Sequence, residues 1–491
     1  MSYLGISAGF HDAAITVISA GGNIEFASHS ERYSGIKHDK NLCTEIVLDA
    51  LSFCNYNTEI HYYERPWAKL TRQLYSGEPK TSLRMDNILG NNIVRLLGNP
   101  TFHTHSHHLS HAAAGFQTSP FDHATVVVID AIGEWDTATI WDATYDNTGC
   151  AIYKKLYTLR YPDSIGLFYT AMTKRAGLRP LDEEYILMGM AGWGSPIHFK
   201  EMQDALITPN TVKFKNNLHL GVPDTFLEGA DHMNIAASAQ ELLESMLDFM
   251  LQIAKKVGNS NNIVYGGGVA LNCSANRIIG NYFDNIWIMP NPGDAGSSLG
   301  AAALGYGKQV MWANAFLGYD IKGQYPISDI ISELTTNKIV GVANGRAEFG
   351  PRALGNRSLL ADPRGDTIKD AVNEIKRRQK FRPFAPIILE ELVHEYFDMP
   401  ANWNTCRYMQ VVATCKFPGQ FPAITHIDRT SRVQTVPADN SGIRQLLEEW
   451  YALTGCPMLL NTSLNIRGEP MVNNINDARR FEELYNIRVC S

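Results

Sequence analysis

Four arginines lie within the twenty residues from Gly345 to Arg364, together with three glycines, two prolines and no lysine. An arginine guanidinium presents a planar fork of donors that pairs with phosphate or carboxylate oxygens, and glycine lets the backbone approach a ligand closely. A solvated basic loop is the alternative, but such a loop has no need for apolar residues such as Phe349, Leu354 and Leu359 between its charges. The stretch therefore predicts a site that holds a small anion.

A group of five histidines lies between His103 and His111. His107 and His111 are four residues apart, so on a helix they share one face and both could ligate a metal. An isolated pair is as often a pair of ordinary surface or core histidines, so a metal site needs a third ligand. Two carboxylates are candidates: Asp130 ends the run VVVID, and Asp294 lies in the turn NPGDAG, where helix capping is the alternative role.

Two glycine-containing turns follow strand-like runs. GGGVALN (Gly266–Asn272) follows the run IVY, and its backbone N–H groups could contact phosphate or let a purine lie close. It is not a Walker loop, because no Gly-Lys-Ser/Thr follows, and a tight turn is the alternative. GFHDAA (Gly9–Ala14) places His11 and Asp12 on the turn after the first strand, where a histidine beside phosphates could act as a general base or stabilise charge. The alternative there is an ordinary turn with an incidental histidine.

The elements that must position these residues are of the α/β type. The runs YLGIS, ATVVVID and NNIVY read as strands that end at glycine or aspartate, and Ala236–Val257 has apolar residues at helical spacing. Strands that end in such turns and lead into helices predict an α/β fold with ligands at the carboxyl ends of the strands. We expect a linker at Gly318–Ser328, a short helix at Asp329–Leu334 and a second half that begins with the strand KIVGVAN.

The bulk composition narrows the class of protein. A length of 491 residues predicts more than one domain, and 45% hydrophobic with 19% charged residues is typical of a protein with large cores. The net charge of -7 argues against coating of nucleic acid through overall charge alone. Eight scattered cysteines without a C-x-x-C pair predict reduced thiols. No signal peptide or membrane-spanning run is visible, so we expect a cytoplasmic protein.

Ten blocks of the chain, in order, resemble the NodU/CmcH-type O-carbamoyltransferase family. The blocks are YLGISAGFHDAA, HHLSHAAAGF, DAIGEWDT, SIGLFYTAMTKRAGLRPLDEEYILMGMA, GGGVALNCSAN, GDAGSSLGAA, GRAEFGPRALGNRSLLADPR, FRPFAPIILEE, THIDRTSRVQTV and TGCPMLLNTSLNIRGEP. The resemblance covers nearly the whole chain. It implies an actin-like domain, similar to the tRNA threonylcarbamoylation ATPases, at 1–325, and a YrdC-like α/β domain at 335–491.

The resemblance also implies a two-step reaction. Carbamoyl phosphate and ATP would give carbamoyl adenylate in the YrdC-like half. An alcohol oxygen would then attack the carbamoyl carbon in the actin-like half, and AMP would leave. The cofactors implied are ATP and a divalent metal, Fe²⁺ with Mg²⁺ or Mn²⁺ as alternatives, and carbamoyl phosphate is the co-substrate.

Functional residues are implied in four groups. The metal ligands are His107, His111 and Asp294. The catalytic residues are His11, Asp12 and Asp130, with Asp130 close to the metal or a phosphate and His11 near the acceptor oxygen and the leaving phosphate. The nucleotide contacts are Gly267, Gly268, Asn272 and Glu184. The site for carbamoyl phosphate and its adenylate consists of Arg352, Arg357, Lys380, Arg382, Arg432, Asn461, Ser463 and Arg467. Lys376 and Arg378 are read as a solvated basic helix end.

The chain departs from the family pattern at four places. Ala131 replaces a usual glycine, Ile186 a usual lysine and Arg429 a common glycine, and the last of these predicts an added cation near the carbamoyl site. The chain also ends at NIRVCS, before the family's usual C-terminal segment. None of these changes removes an implied ligand, so we expect an active enzyme with a changed acceptor pocket.

The acceptor is left open between a sugar or natural product and a 5-hydroxymethylpyrimidine of a nucleotide or DNA. His61–Arg95 has six Lys or Arg against three Asp or Glu, with Tyr62, Tyr63, Trp67 and Tyr75 interleaved. That pattern suits stacked bases and phosphates, and a helix of the fold is the alternative. Two other functions stay open: a tRNA-threonylcarbamoylation-type modification factor and a catalytically silent nucleotide-binding protein. A homodimer is also left open.

Overall fold

A computed structural model describes residues 1–77 and 102–491, and its first half contains two five-stranded sheets with one layout. The strands of the first sheet are β1 (Ser2–Ser7), β2 (Ala14–Ser19), β3 (Ile24–His29), β4 (Thr58–Tyr62) and β5 (Phe102–Thr104). Those of the second are β6 (His123–Gly133), β7 (Asp136–Tyr145), β8 (Ala151–Arg160), β9 (Asn262–Gly266) and β10 (Asn285–Trp287).

The two sheets have the same strand order and directions. The orders are β3-β2-β1-β4-β5 and β8-β7-β6-β9-β10. In each sheet the first three strands of the chain pair antiparallel, and the last two add in parallel on the other side of the first. This duplication is the layout expected of an actin-like domain, so the fold class predicted for the first half is confirmed.

Helices cover and separate these sheets. They are α1 (Glu31–Ser34), α2 (Thr44–Ser52), α3 (Pro66–Tyr75), α4 (His107–Phe116), α5 (Ile165–Arg175), α6 (Glu184–Ala191), α7 (Phe199–Leu206), α8 (His232–Val257) and α9 (Ser297–Tyr306). Short 3₁₀ turns lie at Gly268–Leu271, Ala275–Asn281 and Asp294–Gly296. The predicted helix Ala236–Val257 begins four residues earlier, at His232, because the Asp231 side chain caps it by accepting from two backbone N–H groups.

Helices α4 and α9 pack against each other between the two sheets, with α4 on β6 and β9 and α9 on β1. Their approach is close because α9 has the small-residue sequence SSLGAAALGY. A Cβ at Gly300 would overlap the backbone of Ser110 in α4, and a Cβ at Gly5 in β1 would overlap the carbonyl of Ser298. The N-terminus of α4 and the turn before α9 therefore meet, and this junction positions the candidate metal ligands.

The second half is also of α/β type, as predicted. Its strands are β11 (Phe316–Ile321), β12 (Ile339–Ala343), β13 (Gly345–Glu348), β14 (Arg357–Ala361), β15 (Ala385–Leu389), β16 (Phe397–Asp398), β17 (Val412–Cys415), β18 (Thr430–Arg432), β19 (Gln434–Val436), β20 (Met458–Ser463) and β21 (Val489–Cys490). Its helices are α10 (Ile327–Thr336), α11 (Ile368–Ile375), α12 (Val393–Tyr396), α13 (Gly442–Thr454) and α14 (Ile475–Tyr485), with a 3₁₀ turn at Glu390–Leu392.

A six-stranded sheet of order β19-β15-β20-β14-β12-β21 forms the body of this half. The strands β16, β17 and β18 form a smaller sheet, and β11 pairs with β13 as a ribbon. The predicted linker Gly318–Ser328 is wrong in its first residues, because Gly318–Ile321 belongs to β11 and gains its strand conformation by pairing with β13. The domain limits 1–325 and 335–491 stay a prediction.

Two further findings concern the chain as a whole. The eight cysteines are all unpaired. Among the helices of residues 1–77 and 102–491, none combines the length and the apolar character needed to cross a bilayer.

Candidate active site

Four ligand-type side chains converge where α4, β6 and the turn before α9 meet. Nε2 of His107 and Nε2 of His111, one helical turn apart, lie 3.1 Å from each other. Asp130 Oδ2 is 3.1 Å from His107 Nε2, and Asp294 Oδ1 is 3.3 Å from His111 Nε2. One ligand atom of each residue lies within 4.8 Å of the other three, and all four residues are buried. We call these four residues the His/Asp cluster; Asp130 joins it alongside the three residues of the sequence prediction.

Neighbouring residues hold this cluster in place. The ring of His107 lies against Gly133, where any side chain would overlap it. Asp130 Oδ1 accepts from the N–H of Gly268 at 3.1 Å, which ties the carboxylate to the glycine-containing turn after β9. The cluster is therefore built from the ends of several elements, the usual way in which a sheet scaffold presents a site.

The residues of the His/Asp cluster fit a divalent metal ion. Two imidazole nitrogens and two carboxylate oxygens face one another, a donor set that suits first-row divalent metals. Burial alone would raise the pKa of Asp130, but the hydrogen bonds with His107 and His111 outweigh it and hold that pKa well below the usual range. Burial likewise acts against protonation of His107, and the charge of Asp294 outweighs it and raises the pKa of His107. These opposed shifts mark a place where two buried carboxylates require positive charge.

His11 lies beside the cluster on the turn between β1 and β2. Its Nδ1 is 2.9 Å from Asp12 Oδ2, and its Nε2 is 3.7 Å from Asp294 Oδ2. Burial opposes the charged form of His11, but the hydrogen bond to Asp12 and the charge of Asp294 outweigh burial and raise its pKa to about 9. A cation bound at Asp294 and Asp130 would offset those carboxylate charges and lower this pKa again.

Not all of the residues implied as nucleotide contacts line the cavity. Gly268 lines the cavity described below, but Gly267 does not. Gly267 has a φ of +87°, a side chain there would overlap the carbonyl of Ile129, and its N–H donates to Pro292 O at 2.9 Å. Asn272 lines the cavity while its amide pairs with that of Gln240. Gly267 thus serves the backbone of the turn.

A single cavity of about 540 Å³ is lined by residues of both halves of the chain. Glu184, at the start of α6, lines it and accepts from the Leu181 N–H at 2.7 Å. Of the implied site residues, those that line the cavity are His11, Asp12, Asp130, Glu184, Gly268, Asn272, Asp294, Arg352, Arg382, Arg432, Asn461, Ser463 and Arg467. His107 and His111 lie behind Asp130 and Asp294, and three implied residues, Gly267, Arg357 and Lys380, are not part of the lining.

Five cations form one side of the cavity, and we call them the cationic wall. They are Arg352, Lys376, Arg378, Arg382 and Arg432. None forms an ion pair with a carboxylate of the described residues, and Arg432 Nε and Asn461 Oδ1 have no hydrogen-bond partner there. Burial, followed by the charge of Arg432, lowers the pKa of Arg352 to about 9. Cations that are held together without counter-charges are prepared to bind an anion.

The structure contradicts the expectation that Lys376 and Arg378 form a solvated basic helix end. Lys376 is 4% exposed, and its Nζ donates to Ser463 O at 2.5 Å and to Asn465 Oδ1 at 2.7 Å. Arg378 lies over the ring of Phe384, 4.0 Å from its centroid. Lys380, which the sequence analysis placed in the anion site, is exposed and outside the lining. The turn after α11 therefore presents Lys376, rather than Lys380, to the cavity.

Arg357 is also placed differently from the expectation. Its guanidinium is fully buried and donates to five main-chain carbonyls, those of Tyr319, Asn344, Gly345, Asn356 and Asn473. A guanidinium has five N–H donors, so all are used within the protein. Arg357 joins strands and loops of the second half, and it has no donor left for a bound anion.

Three positions at which the sequence departs from the family pattern can be located in the structure. Ala131 lines the cavity. Ile186 lies in the core of the first half, 1% exposed, where it packs among apolar residues and not at the cavity. Arg429 is exposed and outside the lining, so the added cation expected near the carbamoyl site is absent there. Arg467 lines the cavity and pairs with Glu183 across the two halves, at 2.6 Å.

The described part of the basic segment does not form an open nucleic-acid surface. Lys69 is buried and its Nζ is 2.7 Å from Glu64, and Arg65 pairs with Glu134. Arg72, Tyr62 and Tyr63 are buried as well. Trp67 and Tyr75 are exposed. The cations Lys80, Arg84 and Arg95 lie outside the described residues.

The sequence analysis missed one group beside His11. His38 Nδ1 is 2.7 Å from Asp12 Oδ1, and His38 Nε2 is 3.0 Å from Asp182 Oδ1. Asp12, Glu31 and His38 also lie close enough to hold a metal ion, but both ring nitrogens of His38 are engaged by carboxylates. The sequence ERYSGIKHD gives no spacing signal that would have singled out His38.

Comparison with known proteins identifies the family of the chain. Residues 80–303 match the family model described as Carbamoyltransferase N-terminus, and residues 331–490 match Carbamoyltransferase C-terminus. The chain is 31% identical to the protein sll1178 of Synechocystis over 97% of this chain and 93% of that protein. It is 30% identical to nodulation protein NolNO of Sinorhizobium fredii, over 95% of this chain and 76% of the relative.

Nodulation protein NolO of Bradyrhizobium diazoefficiens is 32% identical, over 76% of this chain and 75% of the relative. Both halves of the chain match carbamoyltransferase models, and the relatives extend over most of its length. The chain therefore belongs to the carbamoyltransferase family and is a carbamoyltransferase.

Proposed function

We propose that this carbamoyltransferase forms carbamoyl adenylate at the cationic wall and transfers the carbamoyl group to a hydroxyl acceptor beside His11 in the same cavity. Carbamoyl phosphate, ATP and water give carbamoyl adenylate, pyrophosphate and phosphate. The acceptor oxygen then attacks the carbamoyl carbon, the bond from that carbon to the AMP oxygen breaks, and AMP leaves.

One observation carries the proposal: the cationic wall and the carboxylates of the His/Asp cluster line the same cavity. Formation of the adenylate requires stabilisation of several negative phosphate oxygens, and unpaired buried cations provide it without reorganisation. Transfer requires a separate group of residues that orients the acceptor and accepts its proton. His11 and Asp12, which are hydrogen-bonded to each other and line the same cavity, would provide those functions.

The His/Asp cluster is the proposed metal site, and Fe²⁺ is the ion proposed, with Mg²⁺ and Mn²⁺ as alternatives. His107, His111, Asp130 and Asp294 would hold the ion. A divalent ion would supply positive charge for the phosphate oxygens of the bound nucleotide. His11 would take the proton of the acceptor hydroxyl, and Asp12 would hold the other ring nitrogen of His11.

For the acceptor, the proposal favours a sugar or natural-product hydroxyl over DNA. The described cations between His61 and Tyr75 are buried or paired with carboxylates, so they do not form a row that faces solvent. A DNA acceptor would need phosphate contacts from such a row.

The division of labour can be tested by following the two half-reactions separately. Pyrophosphate release should require carbamoyl phosphate, ATP and protein together. Asp294→Ala removes a proposed metal ligand that belongs to the first half of the chain and not to the cationic wall. It should therefore reduce carbamoyl transfer by about 100-fold or more and leave the initial rate of pyrophosphate release unchanged. Carbamoyl transfer is measured as hydroxyurea formed with hydroxylamine as the acceptor.

Asp142→Ala is the matched control. Asp142 lies on β7, is hydrogen-bonded to the ring of His123 and does not line the cavity. It should leave both half-reactions unchanged. Equal loss of pyrophosphate release and transfer in Asp294→Ala would refute the proposed division between the two walls.

A further inference from the structure

A chain of polar contacts leads away from the His/Asp cluster through the first half. Asp294 Oδ2 lies 3.7 Å from His11 Nε2, and His11 Nδ1 lies 2.9 Å from Asp12 Oδ2. The other oxygen of Asp12 is 2.7 Å from His38 Nδ1, and His38 Nε2 is 3.0 Å from Asp182 Oδ1. All five residues line the cavity. Carboxylates and imidazoles therefore alternate along one wall.

The contacts of His38 define its protonation state. Each of its ring nitrogens faces a carboxylate oxygen, and an ionised carboxylate only accepts, so both nitrogens donate. Burial acts against the charged ring, but the hydrogen bond with Asp12 outweighs it and raises the pKa of His38. Asp12 is therefore held between two imidazoles, one on each oxygen, and Lys37 and Arg179 add positive charge at Asp182.

Two backbone turns carry this arrangement. Asp12 has a φ of +52° and His38 a φ of +55°, both in the left-handed region, which non-glycine residues seldom adopt and which is frequent at functional sites. Two main-chain hydrogen bonds join the turns that carry them. Gly9 N donates to Lys40 O and Ala13 N donates to Asp39 O, each at 2.7 Å. The loop of His38 is thus fastened to the turn of His11 on both sides of Asp12.

We propose that His38, supported by Asp182, is a positioning residue for the transfer step. It holds Asp12 so that Asp12 Oδ2 accepts the Nδ1 proton of His11 and keeps His11 in the tautomer whose Nε2 can accept a proton. This inference rests on the proposed function. In the step that it serves, the acceptor oxygen bonds to the carbamoyl carbon and the hydroxyl proton moves to His11 Nε2. The bond between that carbon and the AMP oxygen breaks, and AMP leaves with the electron pair.

Without His38, Asp12 loses the partner of one oxygen and is free to turn away from His11. The His11 ring then loses the partner that selects its tautomer. Only an acceptor that must lose a proton during attack depends on this arrangement. Methanol is such an acceptor. The hydroxylamine nitrogen attacks with its free electron pair and has no such requirement.

The test compares two variants of similar side-chain volume, His38→Leu and His38→Gln, with methanol and with hydroxylamine as probes. The protein, ATP and carbamoyl phosphate are common to all assays, and the products are methyl carbamate and hydroxyurea. Loss of a residue that orients a catalytic group typically costs about 10- to 100-fold. We expect His38→Leu to lower the ratio of methyl carbamate to hydroxyurea by this factor, and His38→Gln, which still donates to Asp12, to recover part of it.

His123→Leu is the matched control. The His123 side chain is 37% exposed and also pairs with an aspartate, whereas that of His38 is 33% exposed. His123 does not line the cavity, so its variant should keep the wild-type ratio. An unchanged ratio in His38→Leu, or equal ratios in His38→Leu and His38→Gln, would overturn the positioning role. Absence of pyrophosphate release in the wild-type protein would instead refute the proposed function itself.

Discussion

Lys376 and Lys380 lie four residues apart but face different surroundings. Lys376 is buried at the cavity, and three oxygens, two from Ser463 and one from Asn465, lie within hydrogen-bond distance of its Nζ. Burial, with the charges of Arg378 and Arg382, lowers the pKa of Lys376 well below the ordinary lysine value. Lys380 is exposed. None of these three oxygens carries a charge. A negative counter-charge for the ammonium form of Lys376 would therefore have to come from a ligand.

This difference predicts proton uptake when an anion binds. A bound anion favours the ammonium form and raises the pKa of Lys376 towards its ordinary value. At a pH between the lowered pKa of the free protein and the raised pKa of the complex, Lys376 is neutral before binding and charged after it. Binding of the anion therefore takes up a proton. Calorimetry of pyrophosphate binding at a series of pH values below the ordinary lysine pKa, in two buffers of different ionisation enthalpy, measures this uptake.

Lys380→Met should retain the proton uptake and Lys376→Met should lose it. Equal binding enthalpies of the wild-type protein in the two buffers would contradict the prediction. The same outcome in both variants would mean that another group of the cationic wall carries the proton.

At the residue scale, the sequence predicted those site residues that residue type and spacing are enough to identify. His107 and His111 share a helix face because they are four apart, and Asp294 follows them through the family resemblance. The choice among Lys376, Arg378 and Lys380 depends on which face of one turn is covered by β20 and its loop. Long-range contact determines that choice, so the local sequence could not supply it.

At the scale of the elements, α4 and α9 determine the site, because their close packing brings the His/Asp cluster together. The arginine stretch separates into parts with different surroundings. Arg352 faces the cavity, whereas Arg357 begins β14 and is bound to the main chain of the loops around it. The sequence showed four arginines with apolar spacing, but only the fold separates a ligand-facing guanidinium from a structural one.

We predict that Arg357→Lys destabilises the second half. Lysine has three donors in place of five, so buried carbonyls would lose partners, and a loss of about 3 kcal/mol is expected. The midpoint of thermal unfolding should fall, while protein that stays folded keeps its affinity for pyrophosphate. Arg429→Lys, at an exposed position, is the control and should leave the midpoint unchanged.

A wild-type unfolding midpoint in Arg357→Lys, together with weaker pyrophosphate binding, would contradict the structural role of Arg357 and return it to the anion site.

The same scale explains the error in the predicted linker. Residues 318–321 read as a turn because they are GYDI, with a glycine and a charged residue. Their strand conformation comes from pairing with β13, about 25 residues later in the chain, and β-propensity is dominated by such partners.

At the scale of the whole molecule, the α/β class and the order of the parts could be predicted from strand-like runs and the family resemblance. The relation of the two halves could not, because it depends on contacts such as that between Arg467 and Glu183. That contact and the shared lining place the cationic wall and the carboxylates of the His/Asp cluster around one cavity. The proposed carbamoyl adenylate would therefore reach the carboxylates from the cationic wall without leaving the protein.

The central claim is that carbamoyl adenylate links the two walls, and an oxygen label tests it most directly. Carbamoyl phosphate is prepared with oxygen-18 in its carbamoyl group and incubated with the protein, ATP and hydroxylamine. Hydrolysis of carbamoyl phosphate gives a carbamate with one labelled and one unlabelled oxygen, and either oxygen can bond to the α-phosphorus. When the carbon–oxygen bond later breaks, AMP keeps the bonded oxygen, so a part of the AMP must be labelled. Mass spectrometry should therefore show AMP that contains a single oxygen-18, and the complete absence of labelled AMP alongside hydroxyurea would contradict the adenylate route.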